Sequence, residues 1–239
     1  MQTAITEAFH DDTYRRYGFA AQRRYPNEEL VRFLARHFFA IPRAERAAVP
    51  ILEVGCGSGA NLWMIAREGF AAHGLDLSAE GLALCREMLA GWGVEAGLHH
   101  GDMASLPFPD ASMAAVVDVF SAYCLDEAGA ARFLDEVARV LRPGGRFFTY
   151  TPSKLSEAFT DHAPATLLDA STLSGIERPT SPFAGNRYPF RFTTNAELAA
   201  ALSARGLAVT TSERVGRSYR DGGELFWFAV VAAEKPAGA

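Results

Sequence analysis

Long apolar runs are missing from this chain. Nothing in it approaches the roughly 20 consecutive apolar residues of a membrane-spanning helix, which excludes a helical span. Lysine is scarce: Lys154 and Lys235 are the two instances, and no Lys/Arg run occurs. With a formal net charge of −5 the chain does not advertise the basic face that a nucleic-acid substrate demands, so nucleic acid is disfavoured as a partner. Arg15, Arg16, Arg23 and Arg24 form the local basic cluster, and they read first as polar positions on an amphipathic helix. Cysteine is sparse too. Cys56, Cys85 and Cys124 stand singly, cannot all pair and lack zinc spacing, so reduced thiols in a cytoplasmic protein are expected. No His/Asp/Glu cluster has ligand spacing, so no metal is expected. Near the N-terminus, Glu7, Asp11 and Asp12 replace the basic-then-apolar pattern of a secretory leader, and none is expected.

What is present fits a globular enzyme-sized chain. Its 239 residues, 49% hydrophobic, suffice for one large α/β domain or a core with a small cap. The most informative stretch is Ile51-Leu52-Glu53-Val54-Gly55-Cys56-Gly57-Ser58-Gly59-Ala60-Asn61-Leu62. An apolar run, three alternating glycines and an amphipathic start read as a buried strand, a tight turn and a first helical turn. Glycines let a backbone bend sharply and let a ligand lie against it. The spacing is G-x-G-x-G rather than the G-x-G-x-x-G of dinucleotide turns. Glu53 precedes the first glycine by two positions, where a carboxylate repels phosphate and favours a cationic or hydroxyl-bearing ligand.

Three more stations follow in order. Ala71 to Ser78 reads as a second strand ending in Asp76, whose carboxylate suits a ribose diol, with Ser78 capping the next helix. Gly101-Asp102-Met103 leads into Leu106-Pro107-Phe108, and Asp102 suits an exocyclic amine. Val137 to Phe147 carries a helix end, a Pro-Gly-Gly turn and a strand start. Together, residues 51 to 150 resemble the class I S-adenosylmethionine (SAM) methyltransferases, of the methyltransferase domain type 11/25 kind. The resemblance implies a Rossmann-like three-layer sandwich, an α/β fold whose mostly parallel seven-stranded sheet has the order 3-2-1-4-5-7-6. It implies SAM as cofactor, S-adenosylhomocysteine as product, and a cofactor site of Glu53, Gly55, Gly57, Gly59, Asn61, Asp76, Leu77, Asp102, Met103, Asp118 and Phe120. Asp118 departs from the small residue often found there, and reads equally as a partner for the ligand's ammonium or as a strand-end acid bonded to local backbone.

Around this core, residues 1–40 read as two helical pieces broken near Tyr25-Pro26-Asn27 and forming a lid. Strands are expected at Val94 to Leu98, Met113 to Val119 and Arg146 to Tyr150. Residues 152–193, with Pro152, Pro164, Pro179 and Pro182, are too long for an ordinary connection and read as a substrate-cap insertion within a single domain over 1–239. Thr194 or Asn195 caps a last helix, and Gly206 to Thr211 with Glu224 to Ala233 makes the closing antiparallel pair.

The expected activity is transfer of a methyl group to O or N of a small organic molecule by in-line displacement. Alignment of nucleophile, methyl and sulfur supplies most of the rate, and a base is needed only where the nucleophile must lose a proton. Candidate catalytic residues are Tyr123, His162 and Tyr17, and candidate acceptor-binding residues are Tyr14, Tyr25, Arg187, Tyr188 and Arg191. Aromatics beside arginines suit an acceptor with an anionic group. Expected partners are that acceptor and, in a homodimer, a second copy; a monomer is equally compatible, and no membrane is expected. The rivals are an RNA or protein methyltransferase, a non-catalytic SAM-binding module, and an NAD-dependent oxidoreductase, the last opposed by glycine spacing and Glu53.

Overall fold

A computed structural model describes residues 2–238. The chain starts with helix α1 (Gln2–Tyr17), a 3-10 turn (Gly18–Ala21) and α2 (Glu28–His37). Asn27 caps α2, its side chain accepting from the N–H groups of Glu29 and Leu30. Leu30, Phe33, Leu34 and Phe38, the apolar stripe of that segment, are all buried.

A parallel core follows: β1 (Pro50–Val54), α3 (Leu62–Arg67), β2 (Ala71–Asp76), α4 (Ala79–Trp92), β3 (Gly97–His100), β4 (Met113–Val119), α5 (Glu127–Val140) and β5 (Leu141–Pro152). β1 and β4 read as near-continuous apolar runs because helices cover both their faces, and all of β4 is buried. After β5 come α6 (Glu157–Thr160), the short strands β6 (Thr172–Leu173) and β7 (Phe190–Arg191), α7 (Asn195–Ser203), β8 (Ala208–Tyr219) and β9 (Glu224–Glu234). Thr194 starts α7 with a capping box closed by Glu197. The main sheet runs β3-β2-β1-β4-β5-β9-β8, which is the expected order once the two strands of the insertion are set apart. β1 to β5 pair in parallel, while β9 pairs antiparallel with both β5 and β8.

Alternation along the strands divides the core. Ile51, Val117 and Phe148 pack with α2, α3 and α4, whereas Leu52, Val54, Val116 and Phe147 pack with α5 and α7. Glu53 shares the face of Ile51, and Asp118 shares the face of Val116. Between β5 and α7 the insertion carries its own two-stranded sheet. Its Phe183, Phe190 and Phe192 join Phe226 and Phe228 of β9, with Phe183–Phe226 centroids 4.9 Å apart.

Two expectations shift. The third strand runs Gly97–His100 rather than from Val94, because Gly93 ends α4 in the left-handed conformation and the next residues form the connection. β8 extends to Tyr219 rather than stopping at Thr211. It is an edge strand with mostly exposed side chains, so its second half carries no apolar alternation to betray it.

Candidate active site

The turn after β1 holds Gly55, Gly57 and Gly59 at φ +63°, +50° and +85°, a region that L side chains rarely adopt. Space forbids a side chain as well: a Cβ on Gly55 would lie 2.1 Å from the Ser121 Cβ, and one on Gly57 would lie 2.7 Å from the Tyr14 hydroxyl. Gly59 backs onto Cys85 and faces neither of the cavities described below.

Beneath the turn lies a buried polar triad. Asn61 Nδ2 donates to Glu53 Oε1 at 2.6 Å, and Asn61 Oδ1 accepts from the Asn27 N–H at 2.8 Å. Glu53 Oε2 is buried without a partner. Burial pushes the Glu53 carboxyl up to about 8, against the opposing pull of Asn61 and Arg23. An orphaned carboxylate oxygen on a cavity wall suits a cationic donor, and this is the arrangement that an amino-acid ammonium would complete.

Asp76 ends β2 with both oxygens engaged: Oδ2 accepts from Gly57 N–H at 2.7 Å and Oδ1 from Ser78 N–H at 2.8 Å. Burial raises it above the usual aspartate range, and those two N–H bonds oppose the rise. Each oxygen keeps lone-pair capacity toward a cavity of about 150 Å³ lined by Asp76, Leu77, Asp102 and Met103. α1 roofs this cavity with Thr6, Glu7, His10 and Tyr14. The roof is latched to α4 by the Ser78 hydroxyl donating to Asp11 and by Arg15 pairing with Glu80 at 3.1 Å.

A second cavity of about 620 Å³ opens over Glu53, Gly57, Val119 and Phe120, walled by Tyr150, Tyr188, Phe183 and Phe228. His10, Tyr14, Gly55, Phe120 and Tyr123 line both cavities and form their shared boundary. Phe120 holds a strained φ of +59° there, its N–H donating to Tyr150 O at 2.8 Å. Tyr123 and Tyr188 share an O–H···O bond of 2.7 Å. Burial lifts Tyr123 well above the usual phenol range, so it stays neutral and serves as a hydrogen-bonding group rather than the base expected of it.

His10 went unnoticed in the sequence. It packs against Phe9, Tyr14 and Tyr188, with its centroid 5.3 Å from that of Tyr188. Burial drives it down to about 4 against the pull of Asp11, leaving a neutral imidazole at the boundary. The available signal was its helical spacing from Tyr14, one turn on along the same face.

Other expected residues lie elsewhere. Asp118 is on the opposite face from Glu53 and Val119, because side chains alternate along β4. It accepts from Ser121 N–H at 3.0 Å, Ser121 Oγ at 2.6 Å, Ala122 N–H at 3.1 Å and Thr149 Oγ1 at 2.7 Å, which leaves it a turn-holding acid and not a ligand for an ammonium. His162 Nδ1 is bound to Phe159 O at 2.8 Å, within the insertion and away from both cavities. Tyr17 is 53% exposed and Tyr25 67%, the former beside Arg16 and the latter edge-on to Trp63 and Trp92. Arg187 is exposed. Arg191 pairs with Asp169 at 3.5 Å and lines a separate cavity against α5 and α7. At Asp118, His162 and Arg191 nearby donors or acceptors satisfy the polar group. Among the described residues no His/Cys/Asp/Glu group could hold a metal ion, and no helix is long and apolar enough to cross a membrane.

Comparison with known proteins agrees with this geometry. Residues 51–145 match the family model described as a methyltransferase domain. The phthiotriol/phenolphthiotriol dimycocerosates methyltransferase 1 of Mycobacterium ulcerans is 32% identical over 84% of this chain and 72% of its own. A fatty-acid O-methyltransferase of Mycolicibacterium smegmatis is 42% identical over 44% of this chain, a match that spans 37% of that relative's length. In fold, the chain resembles the Burkholderia thailandensis 1,6-didemethyltoxoflavin-N1-methyltransferase over 99% of this chain and 91% of that one, with TM-score 0.58 and 17% identity. The identity to the Mycobacterium ulcerans enzyme runs well beyond the four motif stations, and it makes this chain a member of the class I SAM-dependent methyltransferases.

Proposed function

We propose that the chain transfers a methyl group to an oxygen or nitrogen of a small organic acceptor, with Asp76, Leu77, Asp102 and Met103 holding adenosine and Glu53 with the glycine turn holding the methionyl end. The observation that carries this reading is the bare Glu53 Oε2 beside Asp76, on cavities that meet beneath His10 and Tyr14. SAM, when bound, supplies a methyl group on a sulfonium whose departure leaves a neutral thioether. The chain's own work is then to align and to exclude water. Asp76 offers its free lone pairs to a diol, and Asp102, with Oδ1 tied to the Ala104 N–H at 2.8 Å, offers its other oxygen to an amine. Phe120 and Tyr123 shape the boundary where the acceptor atom is positioned, and the neutral His10 ring, a weak base, accepts a hydrogen bond from an acceptor hydroxyl or amine and orients it for attack.

Residues 1–40 act in this reading as a lid and residues 152–193 as the cap that completes the acceptor chamber. The larger cavity supports a small-molecule acceptor, since its walls are aromatic side chains rather than an open basic groove. The test is calorimetric titration of the full chain with S-adenosylhomocysteine, with NADH as control. Micromolar binding of the former alone, lost in Asp76→Ala, is the expected result; binding of NADH or indifference to Asp76→Ala would overturn the assignment.

A further inference from the structure

The larger cavity is charged in an uneven way. Its floor carries Glu53, fully buried, and its mouth carries Arg23, from the segment between the 3-10 turn and α2, and Arg217, from β8. Both are exposed residues. Neither makes an ion pair among the described residues, as is also true of the exposed Arg24, Arg36 and Arg214, but these two share one aromatic-walled cavity. Glu53 and Glu28 line the same cavity without forming an ion pair with either arginine among the described residues, although Glu53 is the charge that acts most on Arg23. The two arginines line one cavity; surrounding protein lowers the Arg23 pKa, Glu53 and Tyr150 pull against that fall, and Arg217 adds a smaller lowering.

We propose that Arg23 and Arg217 form an anion clamp, and that the acceptor is an amphipathic small molecule with a carboxylate or similar anionic group at one end. This rests on the methyl-transfer reading above for the identity of the chamber. Two guanidiniums that share a chamber without a counter-ion are relieved by an anion, and a guanidinium fork grips a carboxylate with paired hydrogen bonds. The body of the molecule lies against Phe183, Phe228 and Tyr150. Polarity sets direction. The mouth attracts an anion and the Glu53 floor offers it no cationic partner, so the charged end stays outward and the far end of the acceptor points to the boundary at Phe120 and Tyr123. The clamp differs from the pair that the sequence suggested, since Arg187 lines neither site cavity and Arg191 has Asp169 as its partner.

The experiment uses two fluorescent probes with one ring system: anionic 8-anilinonaphthalene-1-sulfonate and uncharged N-phenyl-1-naphthylamine. Each is titrated into the full chain saturated with S-adenosylhomocysteine. In the double variant Arg23→Gln/Arg217→Gln the dissociation constant of the anionic probe should rise about tenfold or more, while that of the neutral probe stays within about twofold. Arg23→Lys/Arg217→Lys should recover part of the loss. Hydrocinnamate should displace the anionic probe from the unsubstituted chain, and hydrocinnamide should not. Equal affinity of the double variant for the anionic probe, or equal displacement by acid and amide, overturns the clamp. Failure of S-adenosylhomocysteine to saturate the chain would instead sink the methyl-transfer reading, and the same titrations on the unliganded chain would still decide the clamp.

Discussion

In the proposed reading, the adenosine side and the acceptor side of this site are built by opposite means. In that reading the adenosine side is held within one strand–helix–strand unit: Asp76 is tied to Ser78, two residues on, and to the turn at Gly57, 19 residues back. On the acceptor side the walls come from α1, β4, the insertion and β9, and the unpaired charges are arginines. One side is a short-range device that a local motif can encode. The other is a meeting of distant segments, free to vary without disturbing the first. That difference is what lets one fold serve many acceptors.

The most severe break of this contrast is predicted at Gly55. Gly55→Ala forces a Cβ to 2.1 Å from Ser121 at a φ of +63°, and should cost about 2–4 kcal/mol of stability in a urea melt. Asp76→Ala comes next, with S-adenosylhomocysteine affinity down about 100-fold or more and a stability loss of about 1–3 kcal/mol from the orphaned N–H groups. His10→Asn tests the boundary between the two sides: kcat should fall about 100-fold while S-adenosylhomocysteine affinity changes little. In the parent chain with SAM saturating, so that its ammonium holds Glu53 ionised, kcat/KM for the acceptor should hold down to about pH 4, where His10 gains its proton, instead of turning over at an ordinary histidine value.

Glu53 gives a subtler effect, readable by pH. Its folded carboxyl titrates at about 8 against 4.5 when unperturbed, so between those values the folded chain retains a proton that the unfolded chain has released. Stability of the unliganded chain therefore falls as pH rises through that window, and Glu53→Gln should flatten the decline in thermal melts taken from pH 5 to pH 8. A bound ammonium reverses the preference, so calorimetry in buffers of different ionisation enthalpy should show release of up to about one proton at pH 7. The smallest effects are expected at His162→Ala and Tyr17→Ala, each within about twofold on kcat/KM, because neither side chain reaches either cavity. A larger loss at His162 would mean that the insertion moves during turnover.

These two sides also differ in how far the chain's letters reveal them. Glycines at fixed intervals, Glu53 and Asp76 sit at strand ends whose apolar runs are plain to read, and Asn27, Ser78 and Thr194 announce the helices they cap. Asp118 was ambiguous because a strand-end acid looks alike on either face. Which face it takes depends on parity along β4, and its donors Ser121 and Thr149 come from the following turn and from β5. The roles of His10, Arg23 and Arg217 are hard to read for a different reason, even though His10 shares a helical face with Tyr14 and Arg23 belongs to a visible basic cluster. Their importance arises only when α1, the loop before α2 and the edge strand β8 converge on one chamber, and β8 itself lacks the alternation that would have extended it to Arg217.

The latch between α1 and α4 bears on the clock of the reaction. In the lid reading proposed above, Asp11 on Ser78 and Arg15 on Glu80 hold α1 over the adenosine chamber, and departure of spent nucleoside requires the helix to lift. Turnover then has a ceiling set by that departure, whatever the speed of the transfer beneath it. Such a ceiling leaves a signature in pre-steady-state traces: a burst of product followed by a slower linear phase. Raised salt, by loosening Arg15 from Glu80, should quicken the slow phase and leave the burst untouched.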